Sequence, residues 1–155
     1  MDKRIVFGII IFAVIIIGLF TILRLEVPGD PYCGSQECMV LRTINNLEKR
    51  IEYTYFHEEG FREEFVLSFN KDFKLCFFNS SNPSETATWN PEMPTKYLIN
   101  QSGFNVWYYR GEDDNGGKGE IISHLEIPTE KNFCTQGGSK VYIVSKSYGV
   151  EIEPF

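Results

Sequence analysis

Histidine is scarce in this chain, with two among 155 residues, and that scarcity removes most imidazole-based metal sites. His57 is followed by Glu58, Glu59 and Gly60, without the second histidine one helical turn on that a zinc-protease pair requires. Also missing are a Gly-x-Ser-x-Gly nucleophile turn, a glycine-rich phosphate loop and a dinucleotide fingerprint. The one short match to an acyl-transfer pattern, Ser68 with Lys71, straddles a strand end and a turn, whereas that chemistry needs one helical turn between the two residues. Catalytic residues, a metal site and a cofactor are therefore all read as none, and the chain as no enzyme.

Positive charge is also in short supply. Setting aside Lys3, Arg4, Arg24 and Asp2, the 15 Lys and Arg fall to 12 and the 21 Asp and Glu to 20, a net charge of minus 8 beyond the first apolar stretch. Nucleic acid and anionic lipid headgroups demand a basic surface, so neither is expected as a partner.

Charge is absent altogether from Ile5 to Leu23, 19 consecutive positions interrupted only by Gly8, Gly18 and Thr21. As a helix this run is about 28 Å long at 1.5 Å per residue, close to the roughly 30 Å of bilayer hydrocarbon. A cleaved secretory signal would have a shorter apolar core and a small-x-small site, and Arg24-Leu25-Glu26-Val27-Pro28 offers none. Lys3 and Arg4 precede the run, which keeps the N-terminus inside. The expected order is a cytoplasmic N-terminus (1–4), a transmembrane signal-anchor helix (5–23) with the bilayer as partner, a Pro- and Gly-bearing linker (24–35), and an extracytoplasmic domain (36–155).

Four cysteines, Cys33, Cys38, Cys76 and Cys134, all follow the span. An even number in an oxidising compartment reads as disulfides. The preferred pairing is Cys33 with Cys38, which are local, and Cys76 with Cys134, which sit at strand-like segments. The triplets Asn79-Ser80-Ser81 and Asn100-Gln101-Ser102 are glycosylation acceptors and fit the same side.

Within the domain, Ser35 caps a helix with Glu37 in its first turn, and Val40, Ile44, Leu47, Ile51 and Tyr55 recur at three- and four-residue spacing. The helix is expected over about 36–50. Residues 51–55 fit either two further turns or a strand, because Ile51, Tyr53 and Tyr55 also alternate.

From Phe61 the period becomes two. Phe65, Leu67 and Phe69, a turn at Asn70-Lys71-Asp72, and then Phe73, Leu75 and Phe77 predict a hairpin. Residues 80–94 read as a long loop pinned by Trp89. Further strands are expected at 96–99, 104–110, 120–127, 140–145 and 150–153. His124 falls on one face of the 120–127 run, with Glu120, Ile122 and Glu126, and reads as a partly exposed strand histidine. This pattern predicts a mainly-β, α+β domain: an antiparallel β-sandwich or open barrel with one amphipathic helix.

Two features of this domain bear on binding. The loop from Gly111 to Gly117 collects acidic oxygens but lacks the ligand spacing of a helix-loop-helix calcium site, and reads as a solvated turn. Val106-Trp107-Tyr108-Tyr109-Arg110 reads first as a sandwich strand with Phe104, Val106 and Tyr108 on one face; the other face, Trp107 and Tyr109, is where an exposed aromatic binding patch would have to appear. The anchor, the oxidised cysteines and the missing catalytic set predict a single-pass, non-enzymatic binding or scaffolding protein of the cell surface, with a protein partner or self-association. A surface hydrolase without a recognisable motif is the enzyme alternative.

A short basic start, a long apolar helix and a β-rich head resemble, in architecture alone, type IV pilin-like subunits. That resemblance implies a structural subunit assembling through its N-terminal helix. Pilin-like precursors carry a basic-plus-small cleavage pair and an acidic residue early in the mature helix. Here Lys3-Arg4 meets Ile5 directly and no acid lies between Ile5 and Leu23.

Overall fold

The structure, a computed structural model, describes residues 34–83, 89–112 and 114–155. The apolar run at 5–23, the linker to residue 33 and Cys33 lie outside the described residues. Among the described residues no helix is long and apolar enough to cross a membrane.

Helix α1 spans Gln36–Tyr55. The Ser35 hydroxyl oxygen accepts the Cys38 N–H at 3.2 Å, satisfying one of the donors that a helix start leaves open. Val40, Thr43, Ile44, Leu47, Ile51 and Thr54 form its buried stripe. Residues 51–55 are therefore helical, five residues past the expected end. Ile51 and Thr54, three apart, are fully buried, whereas the alternation of a strand would have turned Tyr53 and Tyr55 inward, and these are 51% and 41% exposed. A buried helical stripe outweighs the weak strand preference of two tyrosines.

Seven strands and a second helix follow: β1 (Arg62–Val66), β2 (Phe73–Phe77), α2 (Met93–Ser102), β3 (Val106–Arg110), β4 (Lys118–Glu120), β5 (Phe133–Gln136), β6 (Lys140–Lys146) and β7 (Gly149–Pro154). They form two antiparallel sheets, ordered β1-β6-β7 and β4-β3-β2-β5. The domain is thus mixed α+β. Val40, Ile44, Leu47 and Ile51 of α1 share one core with Val141, Ile143, Val150 and Ile152 of the smaller sheet and Phe73, Leu75, Phe77, Val106 and Tyr108 of the larger.

The expected hairpin between β1 and β2 is not formed. β1 pairs with β6, while β2 pairs with β3 and β5. The β1–β2 and β5–β6 segments instead run side by side as one antiparallel ribbon that changes sheets at a corner. Leu67 holds that corner, donating its N–H to Ser139 O at 2.9 Å and accepting from Gly138 N–H at 2.7 Å. The Asn70-Lys71-Asp72 turn changes sheets rather than doubling the chain back: β2 is buried between β3 and β5, while β1 stays at the edge of the smaller sheet with Phe65 half-buried against the core.

Two further strand expectations are overturned. Residues 96–99 lie in α2, which has proline at its first turn and ends at Gly103 in the left-handed conformation, φ +70°. Thr95 and Ile99, one turn apart, are its buried residues. Beyond Glu120 the chain is irregular: Ile122 and Leu125 are both buried although three apart, which the alternation of a strand does not give. The Asn105 side chain holds this segment, donating to Ile122 O at 2.8 Å and Leu125 O at 3.3 Å and accepting from Ile122 N–H at 2.8 Å. Leu125 then makes a lone parallel bridge to Val150.

Candidate functional site

The C-terminal end of α1 collects aromatic rings and both histidines. Past Ile51 the buried stripe narrows to Thr54, whose hydroxyl donates to Glu63 on β1 at 2.9 Å and fixes the helix end. The flanking residues then face outward, with Phe56 76% exposed. Tyr53 lies 4.2 Å from His57, ring centre to ring centre, and His57 stacks on Phe61 at 4.4 Å. His57 Nδ1 is 2.8 Å from the Tyr53 carbonyl oxygen, one of the acceptors that a helix C-terminus leaves open. Tyr55 meets Phe56 edge-on at 5.4 Å and stacks on His124 at 3.9 Å, nearly coplanar at 16°.

His124 is the one non-glycine residue with positive φ among the described residues, at +63°. Such a backbone costs of order 1–3 kcal/mol unless its surroundings enforce it. Here the His124 carbonyl accepts from Val150 N–H at 2.9 Å, and Glu126 N–H donates to Val150 O at 2.9 Å. Gly149 permits this approach, since a Cβ there would stand 3.0 Å from the His124 oxygen. The imidazole is thereby held at the mouth of a groove of about 370 Å³ beside α1, lined by Asn45, Glu48, Lys49, Glu52, Ser123 and His124. Asn45, Glu48, Lys49 and Glu52 share one helix face by their three- and four-residue spacing, and that face continues to Tyr55 and Phe56.

The pair Trp107 and Tyr109, offered from the sequence as an exposed binding face, presents no such patch: they are 4% and 3% exposed. They pack with Cys76, Phe78, Trp89 and Ile99 in a second core. α2 and the Trp89 segment cover that side of the larger sheet, so both its faces are buried. Trp89 donates its indole N–H to Asp114 at 3.0 Å and packs on Phe78 at 5.2 Å. Asp114 itself is buried, so this side chain of the acidic loop is engaged within the fold.

Cys76 and Cys134 face each other across β2 and β5 and are bonded. Cys38 is disulfide-bonded too, and its expected partner Cys33 lies outside the described residues. Asn79 accepts from Ser81 N–H at 3.0 Å in a local turn, and its own N–H donates to Asn132 at 2.9 Å. Asn100 is exposed on α2. Ser68 donates its hydroxyl to Val66 O at 3.4 Å, and Lys71 is exposed. No group of three or more His, Cys, Asp or Glu is set to hold a metal ion among the described residues.

A buried carboxylate lies elsewhere, on the outer face of the smaller sheet. Glu151 is 1% exposed, with Lys131 Nζ at 2.8 Å, Lys146 Nζ at 3.8 Å and the Tyr148 hydroxyl hydrogen-bonded to it. Burial pushes its carboxyl up, but the hydrogen bonds from Lys131 and Tyr148 and the charges of both lysines outweigh that and hold it below the usual range. The same bond raises the Tyr148 phenol and the Lys131 ammonium. Each of its close partners is already satisfied, so this cluster acts as a clasp across β6, β7 and the turn at Thr129–Lys131.

The residues that sequence reasoning passed over are those of the helix end. The run Tyr53-Thr54-Tyr55-Phe56-His57 carried the signal: aromatic rings at four of five consecutive positions cannot all enter one helical stripe. No protein-family model matches the chain, and no curated protein or solved structure is significantly similar to it.

Proposed function

We propose that this chain is a single-pass, membrane-anchored protein whose domain beyond residue 35 is extracytoplasmic and binds or scaffolds another cell-surface protein without catalysing a reaction. The carrying observation is the aromatic end of α1, where Tyr53, His57 and Phe61 form one group of rings and Tyr55, Phe56 and His124 another. Aromatics supply large rigid contact area at low entropic cost and are concentrated in protein interfaces. Glu48, Glu52, Glu58 and Glu59 flank this end, so the partner segment that suits it is basic with an apolar anchor. The charge-free run at 5–23 supports the anchor, and the bonded Cys76 and Cys134 support an oxidising compartment. On this reading the two sheets are a sandwich with α1 laid into its open side, and Asn79 and Asn100 face the glycosylating compartment.

A photo-crosslinking amino acid at position 56, used in intact cells, tests the contact. The reading expects one discrete adduct with a different protein, lost when Tyr55 is changed to Ala. Protease added outside sealed vesicles should remove the domain, and its complete resistance defeats the topology.

The pilin-like reading is the second one, favoured by a twenty-residue helix that follows the apolar run closely and is laid against antiparallel sheets. It expects a ladder of homotypic adducts and oligomers that persist in mild detergent. A monomer there counts against it.

A further inference from the structure

The smaller sheet is open along β1. Leu67 N–H donates to Ser139 O at 2.9 Å and Ser145 N–H donates to Phe61 O at 2.8 Å, so the odd-numbered residues here turn their backbone groups toward β6. By the alternation of an antiparallel ladder, the N–H and C=O groups of Arg62 and Glu64 point the other way, and among the described residues no strand pairs with them. α1 does not close this edge, because it packs over β6 and β7. The sheet's other edge is protected: β7 is covered at Val150 by its hydrogen bonds with His124 and Glu126, and it ends at Pro154. A five-residue strand with a free row of backbone groups is a template for another strand.

The residues of β1 indicate which strand fits. Phe61-Arg62-Glu63-Glu64-Phe65 is complementary to its own reverse about Glu63. An antiparallel copy in that register sets Arg62 opposite Glu64 and Phe61 opposite Phe65, each twice, and both kinds of cross-strand pair are favourable. Its hydrogen-bonded pairs fall on Arg62 and Glu64, the residues whose backbone groups point outward, so register and charge agree. An axis at Glu64 would instead oppose Arg62 with Val66 and make no opposite-charge pair. Arg62 and Glu64 also touch Glu153 and Lys140 within their own sheet, yet the side chains of both are 50% exposed. Phe61 and Phe65 are only half-buried. Glu63 meets its own copy at the axis, but each carboxylate is already held by the Thr54 hydroxyl at 2.9 Å and by Arg50 at 3.5 Å.

We infer that two copies of this chain pair through β1, antiparallel about a two-fold axis at Glu63, joining three strands from each copy into one sheet ordered β7-β6-β1-β1-β6-β7. Such an interface is the same patch on both partners and closes at two, unlike the ladder of the pilin-like reading. The inference rests neither on the anchor nor on the partner proposed for the helix end.

Sedimentation equilibrium of the full chain in density-matched detergent, combined with amide hydrogen exchange, tests it. A monomer–dimer equilibrium is expected, with exchange at Arg62 and Glu64 slowing as the dimer fills. Arg62→Glu and Glu64→Arg each place like charges opposite one another at both pairs and should weaken the dimer roughly tenfold. Mixed in equal amounts, the two variants regain both opposite-charge pairs and should dimerise with each other at close to the original affinity, which also shows that both are folded. A chain that stays monomeric at the highest attainable concentration overturns the inference, including one whose β1 pairs with a strand of a different protein. So does a dimer that both variants leave intact, a mixture that fails to recover, or a dimer in which Arg62 and Glu64 still exchange freely.

Discussion

Gly137 lies under the carbonyl of Phe69 so closely that a Cβ on residue 137 would stand 2.2 Å from that oxygen. This is the corner at which the ribbon of β1–β2 and β5–β6 passes from one sheet to the other, and the obstacle is backbone. Gly137→Ala must therefore displace the chain at 69–70. The expected cost is about 1–3 kcal/mol of stability, measured by urea unfolding. Gly116→Ala, where nothing lies within 4 Å of the added carbon, is the control and should be nearly neutral.

The bond between Cys76 and Cys134 spans 58 positions of sequence. Changing both to Ala should lower stability by about 4 kcal/mol in the chain-entropy account, at unchanged fold. A loss under 1 kcal/mol in the same urea titration would mean that the unfolded chain is already restricted there by other contacts.

Asn105 joins the larger sheet to the 121–127 segment. Asn105→Ala removes its bonds to both polar backbone groups of Ile122 and leaves them poorly satisfied. A cost of roughly 2–4 kcal/mol is expected from one or two unmet hydrogen bonds. Hydrogen exchange should then rise at Ile122 and Glu126 before it rises in β6, because the segment loosens from its own anchor first.

Glu151 sets an acid dependence. Its carboxyl is held below its unfolded value, so the clasp contributes stability that is complete above the ordinary carboxylate pKa and is lost as the pH falls through the lower folded value. Melting temperature measured from pH 7 downward should fall in that acid range. Glu151→Gln should lower it at pH 7 and flatten the acid slope. An unchanged slope would assign the acid sensitivity to other carboxylates. At the alkaline end Tyr108 acts in the reverse sense: its folded pKa is raised to about 12, so the stability tied to its neutral form is intact below pH 10 and declines between about 10 and 12.

Much of the domain was legible without coordinates. The stripe Val40, Ile44, Leu47, Ile51 repeats at helical spacing, and all four are buried. Alternation marked Phe73, Leu75 and Phe77, whose side chains enter one core. Local signals for α2 were present as well, in Pro94 near its start and Gly103 after its end, but the short apolar run between them was ambiguous, since four residues satisfy either period. The candidate site was less legible. Both histidines stood out, yet neither spacing nor composition brings His124 onto Tyr55 across 69 positions.

Composition and periodicity are local properties, and they determined the elements whose burial repeats along one chain: α1, most strands, the turn at Gly137-Gly138, and the charge-free run before the domain. Which strands pair, which side of Val106–Arg110 meets solvent and where His124 points depend on contacts between distant segments. β1 and β2 alternate just as hairpin partners do. Only the competition for buried area, which α2 and Trp89 win over the Trp107 and Tyr109 face and β6 wins over β2, decided the outcome.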